Sequence, residues 1–392
     1  MGMRYAVLGA GRQGLAIAYD LARRGEARSI TLVDADGERL AAGVERLKRL
    51  ARKLEVVPVE ARLEGEEEPV KLLRGHDAAV SALPYRFNNL LSRASIRAGV
   101  SWCDLGGHTP TVYEQVRFER EARVCKVTVV PDCGLAPGLA NVLASMGVAE
   151  VPDARHVKIR VGGLPVPPKG PLGYSLLFSI EGLTNEYTGE AVMLRGGKLV
   201  RVEAFTEVEP YRGPKELGPL ECFLTSGGTS LAPMGYEGKL ETYEYKTIRY
   251  RGHFAKLRPA IELGFLSLEP VTVGRARIVP RDVFHAVVGP MLDDPNVRDV
   301  ALLQCDVTDA KGSGMRYRMV QRFDGKTGFT AMEQTTGYPA AAVAHALARK
   351  ELPHGSMTPD RLGFGAAHLK ELRRRGLRIR RTVLARRQEV AP

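Results

Sequence analysis

The sequence predicts an α/β fold in which a doubly wound parallel sheet carries an inserted α+β domain. Three observations support this prediction: strand-like and helix-like segments alternate over 1–138, the strand-like segments that follow lack long helices between them, and an alanine-rich helix returns at Pro339–Lys350. Regular βαβ alternation builds a parallel sheet that helices cover on both faces. The predicted domains are therefore 1–138 completed by 335–365, then 139–334, with a basic tail over 366–392.

The first predicted strand, Tyr5–Leu8, ends in a glycine-rich turn that leads into a helical pattern. Gly9 permits the turn, Gly11 lets the backbone approach a pyrophosphate, and Gly14 lets helix and strand pack closely. The free N–H groups at a helix N-terminus attract phosphate. The turn therefore predicts a Rossmann-type dinucleotide site. The residues that we assign to it are Gly9, Gly11, Arg12, Gln13 and Gly14.

An acidic residue at the end of the second predicted strand specifies the cofactor. The strand-like run Ser29–Val33 is followed by Asp34, twenty residues after Gly14. A carboxylate at this position binds the adenosine ribose hydroxyls and repels a 2′-phosphate. We therefore predict NAD as the cofactor. An ordinary βαβ unit with an acidic loop is the alternative.

The other elements of the first domain continue the alternation. Helical spacing of apolar residues predicts helices, and short apolar runs between turn residues predict buried strands. The predicted helices are 37–53, 86–98 and 111–123, and the predicted strands are 54–59, 77–80, 100–104 and 126–130. Ligands bind beyond the carboxyl ends of such strands, so the loops there are the candidate site.

The second domain is predicted to be strand-rich. The predicted strands are 155–162, 174–180, 198–206, 220–226 and 241–250. Further along, 300–308 and 315–323 flank the turn-forming segment Asp309–Gly314 and predict a hairpin. These patterns predict a largely antiparallel sheet in an α+β domain.

Composition limits the classes of protein. The net charge is +12, but the stretch from Lys370 to Arg387 holds nine Lys or Arg against one acid and so accounts for eight of those charges. We expect a solvated helix face or a subunit contact there, and no nucleic acid partner. The five cysteines show no C-x-x-C spacing, so we expect reduced thiols and no metal. With no long apolar run and no signal peptide, we expect a cytoplasmic protein without a membrane partner.

Seven later segments carry a resemblance. They are Ser81–Tyr85, Asp104–His108, Pro131–Gly138, Gly162–Pro165, Phe178–Gly182, Glu221–Ser230 and Tyr245–His253. In this order they resemble the saccharopine dehydrogenase-like family, over almost the whole chain to about residue 360. The resemblance is strongest to members that oxidise the ε-amine of L-lysine with NAD. It implies release of ammonia and 2-aminoadipate 6-semialdehyde, which cyclises to piperideine-6-carboxylate, by a homo-oligomer whose inserted domain binds substrate and takes part in dimerisation.

Amine oxidation by hydride transfer needs a group that manages protons. The amine must be neutral, whereas a lysine ammonium has a pKa of about 10.4. A base or a desolvated pocket is therefore required. The candidate catalytic residues are His253 in the second domain, with His108 and Asp104 at a strand end of the first. Hydrogen bonding to its own loop backbone is the alternative role for Asp104.

Substrate and nicotinamide need further contacts. Arg249 is the candidate for the α-carboxylate, because guanidinium and carboxylate pair in a two-bond fork. Glu181 is either the anchor of the α-ammonium or a surface acid, Thr225 lies either in a donor loop or in a plain turn, and Tyr85 lines the nicotinamide pocket. The further residues assigned to the cofactor are Ala82, Leu83, Pro84, Asp132 and Pro137.

We expect the site in the cleft between the domains. Two other functions stay open. One is a saccharopine or carboxynorspermidine dehydrogenase, whose secondary-amine substrate has an extra carboxylate and needs a second cationic cluster, such as Arg86 or Arg195. The other is a non-catalytic sensor of NAD. Polar residues gathered at the strand ends argue against the sensor.

Replacement of Asp34 by Ser tests the predicted cofactor. The variant loses the carboxylate that binds the ribose hydroxyls, so its affinity for NAD should fall relative to its affinity for NADP. Titration of both nucleotides against the wild-type and variant proteins measures this ratio. An unchanged ratio would remove Asp34 from cofactor selection.

Overall fold

The protein is described here by a computed structural model that covers residues 2–385. The first of two compact units comprises the chain up to Glu150, Ser230–Gly235 and Glu333–Ile379, and the second comprises Val151–Thr229, Tyr236–Met332 and the chain from Arg380. A compact unit describes packing rather than independent folding, so the predicted domain boundaries stay a prediction. Arg386 and Arg387 of the predicted basic tail lie outside the described residues.

The regular elements follow one another along the chain. The helices are α1 (Arg12–Arg24), α2 (Gly37–Leu50), α3 (Glu67–Leu73), α4 (Asn88–Ala98), α5 (Thr109–Val116), α6 (Glu119–Val124), α7 (Leu139–Glu150), α8 (Ile180–Glu186), α9 (His253–Glu262), α10 (Pro280–Leu292), α11 (Ala331–Ala348) and α12 (Ala366–Arg374). The strands are β1 (Met3–Leu8), β2 (Ala27–Asp34), β3 (Glu55–Glu60), β4 (Ala78–Ser81), β5 (Ser101–Asp104), β6 (Thr128–Val130), β7 (His156–Pro165), β8 (Glu190–Arg195), β9 (Lys198–Glu203), β10 (Thr206–Tyr211), β11 (Leu220–Leu224), β12 (Thr242–Tyr250), β13 (Val271–Val273), β14 (Ala276–Ile278), β15 (Asp299–Thr308), β16 (Gly314–Arg322), β17 (Gly355–Ser356) and β18 (Ile379–Leu384).

The first unit is built on a seven-stranded sheet in the order β17-β6-β5-β4-β1-β2-β3. Every neighbouring pair is parallel, which confirms the predicted doubly wound sheet. Tyr5–Leu8 in β1 is completely buried, as a parallel strand covered on both faces requires. The strand order reverses between β1 and β4, so the loops after these two strands lie side by side, where such sheets bind ligands.

Two helix predictions in this part of the chain differ from the structure in their bounds. The predicted helix 111–123 is divided into α5 and α6, because the chain turns at Phe118, whose side chain packs against the core of the first unit. The predicted helix at Pro339 begins instead at Ala331. The Asp299 carboxylate accepts the N–H groups of Ala331 and Met332 at 2.5 and 2.9 Å and so caps the earlier start, at the cost of a proline inside the helix.

One arginine of the basic segment is not solvated. Arg375 is 1% exposed and forms ion pairs with Asp20 and, at 2.9 Å, with Glu371. Burial lowers the pKa of Arg375 to about 10. A buried guanidinium needs such partners, because an unpaired charge in the interior is costly. This side chain therefore belongs to the core of the first unit.

The second unit contains a nine-stranded mixed sheet with the central order β10-β11-β12-β7-β15-β16-β18, and β8 and β9 extend it beside β12. Strands β15 and β16 pair antiparallel from Val300 opposite Arg322 to Thr308 opposite Gly314, which confirms the predicted hairpin. β7 and β12 are parallel. The combination of a parallel sheet and a mixed, largely antiparallel sheet agrees with the predicted fold class.

The predicted strand 174–180 is wrong. Residues 174–179 form no strand, and α8 begins at Ile180. The apolar side chains Tyr174 and Phe178 pack in a cluster with residues of α9 and α10, and Leu176 N–H donates to Leu292 O at 2.9 Å rather than to a strand. The apolar pattern here therefore reflects packing without sheet pairing. Within residues 2–385, no helix combines the length and the apolar character that crossing a membrane requires.

Candidate functional site

The glycine turn after β1 has the geometry that a dinucleotide phosphate needs. Gly9 has a φ of +103°, and its N–H donates to Val33 O at 2.7 Å. A Cβ atom on Gly14 would lie 1.8 Å from the Gly9 carbonyl oxygen, whereas a Cβ atom on Gly11 would meet nothing within 4 Å. Gly14 therefore allows the close approach of α1, and Gly11 leaves open space at the N-terminus of α1, where phosphate binds.

The two other residues of the turn differ in their contacts. Arg12 Nε donates to Glu333 Oε1 at 3.0 Å. Gln13 Oε1 is buried and accepts no hydrogen bond from any described residue. Buried acceptors nearly always receive a hydrogen bond in native proteins, so we expect a bound ligand to donate one to this oxygen. The residues present therefore fit a bound dinucleotide.

Asp34 at the end of β2 is 6% exposed and also holds the turn in place. Its Oδ2 accepts Ala10 N–H at 2.8 Å, and its Oδ1 accepts Asp36 N–H at 3.0 Å. The Arg39 guanidinium lies 3.6 Å from Asp34 Oδ1. The Asp34 carboxylate therefore links the glycine turn to the end of the neighbouring strand, and the Arg39 guanidinium lies beside it.

The loop after β4 borders the glycine turn, as expected for a cofactor contact. Ala82 N–H donates to Leu8 O at 2.7 Å, and the Ala82 carbonyl oxygen lies 3.0 Å from the place of a Cβ atom on Gly9. The Leu83 side chain comes within 3.4 Å of the same place. Pro84 then precedes a single 3₁₀ turn that starts at Tyr85.

Tyr85 and His108 stack on each other. Their ring centroids are 4.3 Å apart with an interplanar angle of 14°. His108 Nδ1 lies 2.9 Å from the Thr111 hydroxyl, while its Nε2 contacts no polar partner within the described chain. Burial lowers the pKa of His108 below its usual range, so the ring is neutral near pH 7. The pair thus presents an imidazole nitrogen that is able to accept a proton.

Asp104 is completely buried and fully hydrogen-bonded. Its Oδ2 accepts from Trp102 Nε1 at 3.1 Å and Gln115 Nε2 at 2.6 Å, and its Oδ1 accepts Gly106 N–H at 2.9 Å. Burial raises the pKa of Asp104, and these donors oppose that rise. In this arrangement Asp104 fixes the loop after β5, so its predicted part in catalysis stays a prediction.

Asp132 follows β6 with a φ of +63°. Burial raises the pKa of Asp132 to about 7. The Ser230 side chain lies beside the carboxyl group and lowers this pKa, although no regular hydrogen bond joins the two groups. Oδ2 is buried without a hydrogen-bond partner among the described residues. Pro137 lies in the next turn, where Leu139 N–H donates to Gly134 O at 2.9 Å. The assignment of Asp132 and Pro137 to the cofactor stays a prediction.

In the second unit, Arg249 and His253 belong to one buried network centred on the Tyr187 hydroxyl. Arg249 Nε donates to this hydroxyl at 2.8 Å, and His253 Nε2 lies 2.9 Å from it. His253 Nδ1 lies 3.0 Å from Leu172 O, which accepts only, so Nδ1 carries the proton and Nε2 accepts from Tyr187. The Arg249 guanidinium also lies 4.7 Å from the centroid of the Tyr174 ring.

The network keeps His253 neutral. Burial, helped by the charge of Arg249, lowers the pKa of His253 to about 3. Both ring nitrogens have protein partners, so proton transfer by His253 would require the network to open. The observed contacts show His253 orienting Tyr187, which in turn orients Arg249; its predicted catalytic role stays a prediction.

Glu186 is the acid beside Arg249. Its Oε2 lies 3.6 Å from Arg249 Nη2, and its side chain is 28% exposed, against 3% for Arg249. Burial raises the pKa of the Glu186 carboxyl to about 7, against the lowering effect of Arg249. The Thr225 and Thr247 hydroxyls are 2.7 Å apart on the same face of the sheet as Arg249. A cation, an acid and hydroxyl groups thus occur together.

Other predicted residues lie apart from this group. Glu181 is an exposed acid in the first turn of α8, which matches the surface alternative. Lys246, which was not a predicted site residue, points to the opposite sheet face, where it pairs with Glu209 at 3.0 Å. Among residues 2–385, no three His, Cys, Asp or Glu side chains are arranged to hold a metal ion.

Sequence reasoning missed three residues of the second unit. Glu186 and Tyr187 lie one to two helical turns after Glu181, and helical periodicity from a correctly placed α8 would have brought them towards the buried side. Glu221 accepts the N–H groups of Gly252 and Phe254 at 2.9 and 2.7 Å and caps the start of α9. No local sequence pattern connects Glu221 to a helix thirty residues later.

Two family models together match nearly the whole described chain. The saccharopine dehydrogenase NADP binding domain matches residues 5–130, and the saccharopine dehydrogenase C-terminal domain matches residues 134–377. The chain belongs to the saccharopine dehydrogenase family. It is therefore a member of a family of nucleotide-binding oxidoreductases, and residues 5–130 are the part that matches the family's nucleotide-binding domain.

Curated relatives agree with this family at low identity. The mitochondrial alpha-aminoadipic semialdehyde synthase of Bos taurus is 26% identical over 234 residues, which cover 56% of this chain and 25% of that protein. The saccharopine dehydrogenase (NADP(+), L-glutamate-forming) of Schizosaccharomyces pombe is 26% identical over 206 residues, which cover 50% of this chain and 45% of that protein. The aligned region spans less than half the length of either relative.

Two solved structures share the fold. The apo, histidine-tagged saccharopine dehydrogenase (L-Glu forming) from Saccharomyces cerevisiae superposes with a TM-score of 0.76 at 19% identity, over 98% of this chain and 100% of that one. The homospermidine synthase of Legionella pneumophila, in complex with NAD, gives a TM-score of 0.66 at 11% identity, over 100% and 95% of the two chains. Identities this low establish the fold alone.

Two glycine variants separate folding from nucleotide binding in the turn. In Gly14→Ala the new Cβ atom collides with the Gly9 carbonyl group, so we expect a loss of about 2–4 kcal/mol in the free energy of unfolding. In the matched control, Gly11→Ala, the methyl group enters open space. That variant should keep its stability within about 1 kcal/mol but bind the nucleotide more weakly. Denaturant unfolding and nucleotide titration measure both; equal stability of the two variants would contradict the packing role of Gly14.

Proposed function

We propose that the protein oxidises the ε-amine of L-lysine with NAD, as a lysine 6-dehydrogenase. The observation that carries the proposal is the pairing of a buried guanidinium, Arg249, with the partly exposed acid Glu186 at 3.6 Å. An α-amino acid presents a carboxylate and an ammonium on one carbon, so a neighbouring cation and anion fit it. Guanidinium binds the carboxylate by two hydrogen bonds, and Glu186 binds the α-ammonium.

NAD supplies the hydride acceptor when it is bound. The choice of NAD over NADP rests on Asp34, whose buried carboxylate stands where a 2′-phosphate would be repelled. Two observations favour NADP instead. The Arg39 guanidinium lies 3.6 Å from Asp34, and the matching family model is that of an NADP binding domain. Asp34 also holds Ala10 N–H, so its carboxylate is fixed in place beside the phosphate turn.

The protein must also remove a proton from the ε-ammonium. We assign this step to His108, which is neutral near pH 7 and has a free Nε2 in the described structure. The Tyr85 ring, stacked on His108, holds the imidazole in one orientation. Loss of a hydride from the ε-carbon of the neutral amine leaves an iminium ion. Water then hydrolyses the iminium ion to 2-aminoadipate 6-semialdehyde and ammonium, and the semialdehyde cyclises to piperideine-6-carboxylate.

A saccharopine or carboxynorspermidine dehydrogenase activity is the second candidate, and the family relatives favour it. Its substrates carry an additional carboxylate that needs another cation. The two arginines considered for this purpose are engaged elsewhere: Arg195 pairs with Glu207 near the surface, and Arg86 lies 4.8 Å from the centroid of the Phe87 ring. These contacts favour the primary amine.

An amine-dependent reduction of nicotinamide tests the proposal. The protein is mixed with NAD or NADP and with L-lysine, L-ornithine, saccharopine or carboxynorspermidine, and formation of reduced nicotinamide is followed by absorbance. We expect reduction of NAD with L-lysine and release of ammonia. Faster reduction with a secondary amine would favour the saccharopine or carboxynorspermidine dehydrogenase activity instead. Nucleotide binding without turnover of any amine would favour a sensor.

The variant Arg249→Lys tests the carboxylate contact. Lysine keeps the charge but loses the two-bond fork, so KM for the amino acid should rise about tenfold or more while KM for NAD stays unchanged. Arg251→Lys is the matched control, because Arg251 lies just beyond the same strand and is exposed. Wild-type KM values in the Arg249 variant would remove this residue from substrate binding.

A further inference from the structure

The second unit contains a small cavity that the proposed reaction does not use. Its volume is about 260 Å³, and it lies between the segment after α8, the end of β9, the end of α9 and the start of α10. Sites for drug-sized ligands have volumes of about 300–1,000 Å³, so this cavity fits a smaller molecule. Neither Arg249 nor Glu186 lines it, and it is therefore separate from the pair assigned to the substrate.

A buried cation forms part of the cavity wall. Arg281, in the first turn of α10, is 6% exposed and lines the cavity. Its Nε donates to Leu266 O at 2.8 Å, and its Nη1 donates to Asn185 Oδ1 at 2.9 Å. Its Nη2 donates to the Thr188 hydroxyl at 3.0 Å. These acceptors fix the plane of the guanidinium, and a guanidinium held in one plane is suited to pair with a carboxylate by two hydrogen bonds.

An acid lines the same cavity. Glu203 is the last residue of β9 and is exposed. Within residues 2–385, its carboxylate receives no hydrogen bond and forms no ion pair. Glu190, which lies opposite Glu203 on β8, instead pairs with Arg201 at 3.4 Å and does not line the cavity. The Glu203 carboxylate is therefore available to an ammonium group at the mouth of the cavity.

Apolar side chains complete the lining. Ala204 and Leu266 are buried, and the half-buried Ile261 packs against the same apolar cluster as Leu266. An aliphatic group gains free energy by leaving water for such a surface. The cavity thus combines a cation, an acid and an apolar wall. A carboxylate, an ammonium group and an aliphatic side chain, which are the three parts of an aliphatic α-amino acid, match these features.

The cavity adjoins the chain segment that supports Arg249. Tyr187 lines the cavity, and its hydroxyl accepts a hydrogen bond from Arg249 Nε at 2.8 Å. Asn185 and Thr188, which both accept hydrogen bonds from Arg281, stand on either side of Glu186 and Tyr187 along the chain. A molecule that binds only while these contacts are formed stabilises the segment 185–188 against local opening.

We propose that this cavity binds one α-amino acid with an aliphatic side chain. Arg281 binds the carboxylate, and Glu203 binds the ammonium group. The aliphatic side chain lies against Ile261 and Leu266, and the bound molecule stabilises the segment 185–188 behind Arg249. This site is additional to the pair of Arg249 and Glu186, so the proposal stands independently of the proposed reaction.

Calorimetric titration of the full chain with L-leucine tests the site. We expect binding, and we expect 4-methylpentanoate, which lacks the ammonium group, and 3-methylbutylamine, which lacks the carboxylate, to bind about tenfold more weakly or worse. L-leucine should also slow amide hydrogen exchange in the segments 185–189 and 261–267, which border the cavity. A protein that binds no L-leucine at millimolar concentration, or that shows no protection of these segments, would overturn the proposal.

Three variants locate the binding. Glu203→Gln keeps the shape of an exposed side chain but removes its charge, so Kd for L-leucine should rise about tenfold or more. Glu190→Gln is the matched control, because it makes the same change on the neighbouring strand outside the cavity, and it should leave Kd unchanged. Glu186→Gln removes the acid beside Arg249 and should also leave Kd for L-leucine unchanged.

The variants also separate this site from the substrate pair. An equal Kd for the wild-type protein and Glu203→Gln would overturn the proposal. Binding that weakens in Glu186→Gln but not in Glu203→Gln would likewise overturn it and assign L-leucine to the pair of Arg249 and Glu186. Oxidation of L-lysine is measured separately by reduction of NAD, so failure of either proposal leaves the other in place.

Discussion

The close approach of α1 to the end of β1 is the constraint on which the nucleotide half of the protein depends. Gly14 meets the Gly9 carbonyl group at a distance that excludes any side chain. The same turn is held by Val33 on one side and bordered by Ala82 on the other. One backbone contact therefore sets the positions of the loops after β1, β2 and β4, and with them the space for a phosphate.

In the second unit the main constraint is the burial of a cation. Arg249 is 2% exposed, and a guanidinium in such a place needs partners for its charge and its N–H groups. Tyr187, the Tyr174 ring and Glu186 supply them. Glu186 differs from the others because its side chain is partly exposed and its Oε2 lies 3.6 Å from Arg249 Nη2.

Local patterns predicted part of the site and missed the rest for identifiable reasons. The glycine turn and Asp34 depend on neighbours within one βαβ unit, so spacing was sufficient for them. The segment at Tyr174 looked like a strand because its apolar residues face an aromatic cluster, although its backbone pairs with no strand. Glu186 was missed because no helix was predicted after this segment, and Glu181 was chosen as the candidate acid.

The sequence by itself determined the parallel sheet and the glycine turn, because alternating periodicity and glycine spacing act over short distances. The family followed from the resemblance of seven later segments. The tertiary structure alone decided which polar groups are free. His253 looked like a proton carrier until Leu172 and Tyr187 were seen to occupy both ring nitrogens, while His108 kept one nitrogen unpaired among the described residues. Hydrogen-bond partners come from distant parts of the chain, and burial changes a pKa through everything that surrounds the group.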